Sequence, residues 1–193
     1  MQLEKDQEKQ LLIAIKNEAK KRNIKSNMGR LFFVKDNAFV HCNYIVIKRS
    51  IMDYSIYIKE YEYDDIFWDI MHMQKNSKQP ISLRACGAFS SPSIKIFHKQ
   101  IEEIDNYEET ARLIVNDLEK YSLDFLCEFD IGDYIINEYD QKSYMYGVLE
   151  CLALVHKGKT LDAKKIAKEF IEHGDRGSFV NENKGFYEWL LDY

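Results

Sequence analysis

An α+β fold is predicted by three features of the sequence. A helical period runs over Leu3 to Asn23, alternation of β-branched and aromatic residues then takes over from Arg30 to Tyr61, and the helical period returns at Asp105. The chain has 193 residues, 46% of them hydrophobic, with only 8 Gly and 2 Pro. That supplies a sizeable core and leaves little sequence for long disordered stretches. The expected organisation is an α+β core over residues 1–140. A helical hairpin and terminal helix over 141–193 are expected to pack on it as one compact unit.

The N-terminal helix is read from Leu11, Leu12, Ile15 and Ala19, with Lys20, Lys21 and Arg22 at the negative end of its dipole. "NIKSNMG" stops it, with Gly29 as punctuation. "RLFFVK" and "AFVHCNYIVIKR" flank Asp36-Asn37, two residues that tolerate left-handed backbone, so a hairpin is expected. "DYSIYIKEY" alternates, with Tyr54, Ile56 and Ile58 on one face and Ser55, Tyr57 and Lys59 on the other. Short connections between these strands predict an antiparallel meander. "YDDIFWDIMHM" reads as a short helix with Asp64 or Asp65 near its positive end. "ISLRACGAF" and "SIKIFHK" read as two more strands, making four or five, with a bend at Gly87 and a Ser-Ser-Pro turn between them.

From Asp105 the stripe Tyr107, Ala111, Ile114, Leu118, Tyr121 and Phe125 is helical, and Asn106 with Glu109 forms a capping box. "SLDFLCEFDIGDYIINEY" continues as a second or broken helix. "SYMYGVLECLALVHKG" and "TLDAKKIAKEFIEHG" predict the hairpin, each opening on a capping hydroxyl and ending in Gly, at 158 and 174. "GFYEWLLDY" is a terminal helix whose aromatics seal the core.

Composition narrows the function classes. No apolar run approaches the ~20 residues of a membrane span, and "MQLEKDQEKQ" lacks a signal peptide's apolar core. The four cysteines, at 42, 86, 127 and 151, form no C-x-x-C. Buried, reduced thiols in a cytoplasmic protein are therefore expected. Net charge is −5, but residues 100–140 alone carry thirteen acids and two bases. Such a face repels phosphate backbones and fits a basic protein partner rather than nucleic acid.

Three stretches resemble a bacterial domain-of-unknown-function family, number four-three-zero-four, over about residues 10–175. They are "AKKRNIKSNMGRLFFVKDNAFVHCNYIVIKRS", the Arg84/Gly87 stretch ahead of a charged helix, and "NDLEKYSLDFLCEFD". The chain departs from that family where a tryptophan-rich strand is usual and "SIKIFHK" stands instead. The resemblance carries no established activity. Small bacterial proteins of this style imply an immunity factor against a polymorphic toxin.

Catalytic constellations are sparse. No two histidines stand at i, i+3 or i+4, so no metal or other cofactor is expected; Asp65 and Asp69 share a helix face but two carboxylates do not specify a site. Glu60 and Glu62 would lie about 7 Å apart on one face if the strand ran on. Arg84, Cys86 and His98 make the one thiol-centred arrangement, with Arg84 and Cys86 on one strand face and His98 on the next strand. The sequence reading favours a non-enzymatic protein-binding module, an immunity-type inhibitor of a basic toxin. Its contact patch is Glu60, Tyr61, Glu62, Tyr63, Asp64, Asp65 and Trp68, where aromatics supply area and acids select a basic partner. The rivals are a small enzyme at Arg84, Cys86 and His98, and an assembly role for the helical hairpin.

Overall fold

The structure, a computed structural model, describes residues 5–47, 50–139 and 145–193. It is α+β: an N-terminal helix, a five-stranded antiparallel sheet and a C-terminal helical section. Its contacts separate two compact units, each discontinuous in sequence. The first is Met1–Ile58 with Lys95–Glu128, and the second is Lys59–Ile94 with Phe129–Tyr193. The chain passes between the units at 58/59, 94/95 and 128/129.

In the first unit, α1 (Lys5–Lys21) buries Leu11, Ile15 and Ala19 against α4 (Tyr107–Glu128). Leucine and isoleucine side chains contribute about 1.5–3 kcal/mol each on full burial, an alanine methyl less. The α4 stripe Ala111, Ile114, Val115, Leu118 and Phe125 is buried, as its period predicts. Asn106 Oδ1 accepts the Glu109 N–H at 3.0 Å, an N-cap that satisfies one of the helix's orphan donors. The sheet runs β1 (Lys25–Asn27), β2 (Arg30–Lys35), β3 (Ala38–Ile47), β4 (Ile51–Glu60) and β5 (Ile94–Ile101), in that spatial order.

The Asp36-Asn37 turn pairs Lys35 with Ala38, and Asp36 takes φ 42°. A second tight turn, absent from the sequence reading, uses Met28 (φ 46°) and Gly29 (φ 72°) to pair Asn27 with Arg30. It makes "KSN" the fifth strand. Tyr54, Ile56 and Ile58 are fully buried, and the Tyr54 hydroxyl donates to the Asp117 carboxylate on α4.

In the second unit, α2 (Tyr63–Ile70) is followed by a 3₁₀ turn (Gln74–Lys78) and a one-turn helix, α3 (Leu83–Cys86). The strand expected over Ile81–Phe89 does not form. Cys86 N–H donates to the Ser82 carbonyl and Gly87 N–H to the Leu83 carbonyl, closing a helical turn. Arg84 and Cys86 consequently do not share a strand face, since residues two apart on a helix point apart. Gly87 is needed for a different reason from a bend: a Cβ there would sit 2.6 Å from the Leu83 carbonyl oxygen.

Helices α5 (Ile131–Asn137), α6 (Tyr146–His156), α7 (Thr160–Glu172) and α8 (Phe186–Asp192) complete the unit, with a two-residue hairpin of β6 (Val180–Asn181) and β7 (Lys184–Gly185) ahead of α8. α6 is buried on nearly every side, and Ala163 and Ala167 let α7 lie close to it. Gly158 (φ 73°) and Gly174 (φ 83°) end the two helices in left-handed backbone, as expected. The hydroxyl caps are not as expected: Lys159 is the N-cap of α7 and Thr160 its first helical residue, while Ser143 lies outside the described residues. Phe186, Tyr187 and Trp189 are buried, with Phe186 stacked on Phe67 and Tyr187 on Phe170. Cys42 and Cys151 are buried, but Cys86 is half-buried and Cys127 exposed, which corrects the expectation that all four are interior. Among the described residues no helix is long and apolar enough to cross a membrane.

Candidate functional site

The densest polar cluster lies inside the second unit and is built on Lys59, the penultimate residue of β4. Its side chain is 0% exposed. Burial pushes the ammonium below the ordinary lysine range, and the neighbouring Asp64 carboxylate opposes that push. The Lys59 Nζ donates to Asp64 Oδ1 (3.0 Å), to the Ser91 carbonyl (3.0 Å) and hydroxyl (3.1 Å), and to the Arg84 carbonyl (3.2 Å). Three N–H bonds are thereby shared among four acceptors.

Asp64, in the first turn of α2 and also 0% exposed, accepts from Ser91 N–H (2.7 Å) and Ser91 Oγ (3.0 Å) on Oδ1. Its other oxygen, Oδ2, has no aligned hydrogen bond and is held by charge alone, 2.8 Å from Lys59 Nζ and 3.6 Å from Arg84 Nη1. Arg84 then carries the network outward. Its Nη2 meets both Asp65 oxygens at 2.9 Å, and Nη1 donates to the Tyr61 carbonyl at 2.8 Å. The guanidinium lies 3.9 Å above the Tyr61 ring centroid and 5.0 Å from that of Trp68. Trp68 Nε1 closes the shell by donating to the Phe89 carbonyl. Two cations face two carboxylates, so the cluster is neutral as a set. That is the condition under which charges this deep are tolerated.

These contacts decide what the cluster can do. A lysine nucleophile or base needs an available lone pair and a route for substrate. Lys59 has its N–H groups on four acceptors and no exposed surface. The network is a clamp: it fastens residues 84–91 to the end of β4 and the start of α2.

A second, outer cluster surrounds Glu60. Burial raises the Glu60 carboxyl above the usual range, with His156 pulling the other way. The β4 strand ends at Glu60, so Glu62 is not its partner on a continuing strand face; Glu62 instead faces His156 Nε2 at 3.2 Å. The Tyr63 ring meets His156 edge-on, and the buried Tyr63 hydroxyl has no hydrogen-bond partner among the described residues. Lys157 bridges Asp130 (3.0 Å) and Asp133 (2.8 Å) beside them.

The seven residues of the expected contact patch are thus divided between interior and surface. Tyr63, Asp64 and Trp68 are buried; Glu60, Tyr61 and Asp65 are half-buried; Glu62 is exposed. Of the expected thiol-centred arrangement, Arg84 and Cys86 belong to the second unit and His98 to the first. Arg84 is committed to Asp65, Asp64 and Tyr61, whereas His98 Nδ1 lies 3.0 Å from Ser55 Oγ and its Nε2 3.7 Å from Asp53. Asp65 and Asp69 meet different partners: Asp65 pairs with Arg84 and Asp69 accepts from Gln74. Among the described residues no three His, Cys, Asp or Glu side chains are grouped to hold a metal.

Sequence reasoning missed Lys59 and Ser91. The available signal was a lysine on an alternating strand, followed five residues later by an aspartate at a helix start. Compared with known proteins, the chain matches no protein-family model, no curated protein and no solved structure.

Proposed function

We propose that the protein is a non-enzymatic binding module whose partner is a protein with a basic surface. One observation carries this reading. The groups best suited to chemistry are locked into one another inside the second unit, while a run of acids in the first unit is left uncompensated. Glu102, Glu103, Asp105, Glu108, Glu109, Asp124 and Glu128 are all exposed, and none takes part in an ion pair among the described residues. Carboxylates arranged so raise the encounter rate with a cationic partner by roughly 10–1,000-fold at low salt. The immunity-type reading is the finer form of this proposal: the basic partner is a toxin and the acidic surface covers it.

The test is biolayer interferometry against the product of the adjacent gene, comparing wild type with Glu102→Lys, Glu103→Lys, Glu108→Lys and Glu109→Lys combined. Expected is an association rate that falls at least tenfold in the variant and falls likewise for wild type between 0.05 and 0.5 M salt, values spanning about a threefold change in screening length. An association rate unchanged in the variant overturns the acidic surface as the contact.

A further inference from the structure

The second unit carries a surface of the opposite sign. Between the start of α7 and the end of α8 lies a groove of about 560 Å³, lined by Gly158, Leu161, Leu191 and the lysines 159, 164, 165 and 168. Its volume falls in the range of sites that take a ligand or several peptide side chains. Leu161 is 77% exposed and Leu191 38% exposed, so the apolar part of the groove is open to solvent.

The lining of the groove is predominantly basic. The lining holds four lysines and one acid, Asp162. Asp162 is taken by Lys165 at 2.8 Å, and Lys168 faces Glu172 at 3.8 Å, both exposed pairs within one turn of helix. Pairs of that kind contribute little and are readily exchanged. Lys164 donates to the Leu191 carbonyl at 3.0 Å, which fixes its stem across the groove, and the neighbouring Asp192 carboxylate, itself paired with Lys184, feels its charge. Lys159 has no ion-pair partner among the described residues. In a chain of net charge −5, this concentration of positive charge around two solvent-facing leucines runs against the average of the molecule.

We infer that this groove docks an acidic segment of a partner protein, one that presents leucine-sized apolar side chains between carboxylates. The leucines supply burial, and the lysines, extended on apolar stems, supply selection by sign. Solvent-facing leucines set among lysines suit a peptide that carries apolar side chains between carboxylates. This inference is independent of the acidic surface of the first unit and of the partner proposed for it.

The experiment uses the full chain and a fluorescein-labelled twelve-residue peptide containing eight glutamates and two leucines spaced four apart. Anisotropy titrations compare wild type, Leu161→Ser, and the combined Lys159→Glu, Lys164→Glu and Lys168→Glu variant. All substitutions are at residues that line the groove, and circular dichroism melting checks that each variant folds. Expected is saturable binding that weakens at least tenfold in the lysine variant, at least threefold in Leu161→Ser, and at least threefold for a peptide with both leucines changed to alanine. The Glu102/Glu103/Glu108/Glu109 lysine variant should bind the peptide at least as well as wild type. Absence of binding at 50 mM salt overturns the inference. So does equal binding of a peptide with lysine in place of glutamate, or equal binding to the folded lysine variant. Sedimentation with vesicles of phosphatidylcholine and phosphatidylserine that depends on the same lysines, without peptide binding, would assign the surface to a membrane instead. Salt-sensitive self-association lost in the lysine variant, again without peptide binding, would assign it to a second copy.

Discussion

Changing Lys59 to Met tests whether the buried clamp stabilises the second unit. Methionine keeps the length of the apolar stem and deletes the ammonium. The deletion strips one partner from Asp64, which stays fully buried and keeps only Ser91 as a hydrogen-bond donor, with Arg84 Nη1 at 3.6 Å. It also removes the donor to the carbonyls of Arg84 and Ser91. Removing one member of a buried ion pair costs about 3–5 kcal/mol, a large fraction of the ~5–15 kcal/mol that a folded domain has in all. At about 2–4 °C per kcal/mol for a chain of this size, the melting temperature should fall by roughly 6–20 °C. Both tryptophans, Trp68 and Trp189, lie in the second unit, so urea unfolding followed by tryptophan fluorescence reports on it directly. Adding Asp64→Asn removes the stranded charge. The double variant should therefore cost at least ~2 kcal/mol less than the sum of the two single variants. A Lys59→Met variant within about 1 kcal/mol of wild type, or additive single costs, would refute the clamp.

Three further outcomes follow from the same geometry. Glu60 has its carboxyl raised by burial, so its folded state binds more protons than the unfolded chain above the ordinary carboxyl value of 4.5. Its stabilising share is present below that pH and is lost as pH rises through the folded value; Glu60→Gln should flatten the fall in urea midpoint from pH 4 to 7, and an unchanged slope would contradict it. Gly185→Ala would place a Cβ 2.0 Å from the Arg176 carbonyl oxygen, a backbone atom that cannot rotate away, and the variant should lose at least ~2 kcal/mol in fluorescence-detected unfolding. Tyr54→Phe deletes the hydroxyl that donates to Asp117, a bond to a charged acceptor in the first unit, and should cost about 1.5–3 kcal/mol by far-ultraviolet circular dichroism.

Much of the fold was legible because short-range signals agreed with the tertiary structure. The Asp36-Asn37 turn stood between two alternating runs, and the positive-φ glycines at 158 and 174 stood where the apolar periods of α6 and α7 end. The misreadings occur where long-range contacts dominate. Ile81, Leu83 and Ala85 alternate like a strand, yet the segment turns helical, and Lys59 and Asp65 hold it through Arg84 from elsewhere in the chain. β1 is three polar residues, and only the left-handed backbone at Met28 and Gly29 turns it onto β2. "EYEYDD" reads as a surface because it is acidic. Asp64 is interior because Lys59 and Arg84, 5 before and 20 after it, arrive at the same place. Pairings at that separation leave no periodic trace in a sequence.

The interleaving of the two units has a consequence for the protein during its synthesis. α1 leaves the ribosome well before α4, the helix that covers Leu11, Ile15 and Ala19. At ~5–20 residues per second, the roughly 90 residues between them take about 5–20 seconds to appear. Over that interval the Lys59–Ile94 stretch of the second unit emerges between the two halves of the first. A nascent chain of this design must keep an apolar helix face from wrong company while it waits, which makes the span between α1 and α4 the window in which a chaperone would act.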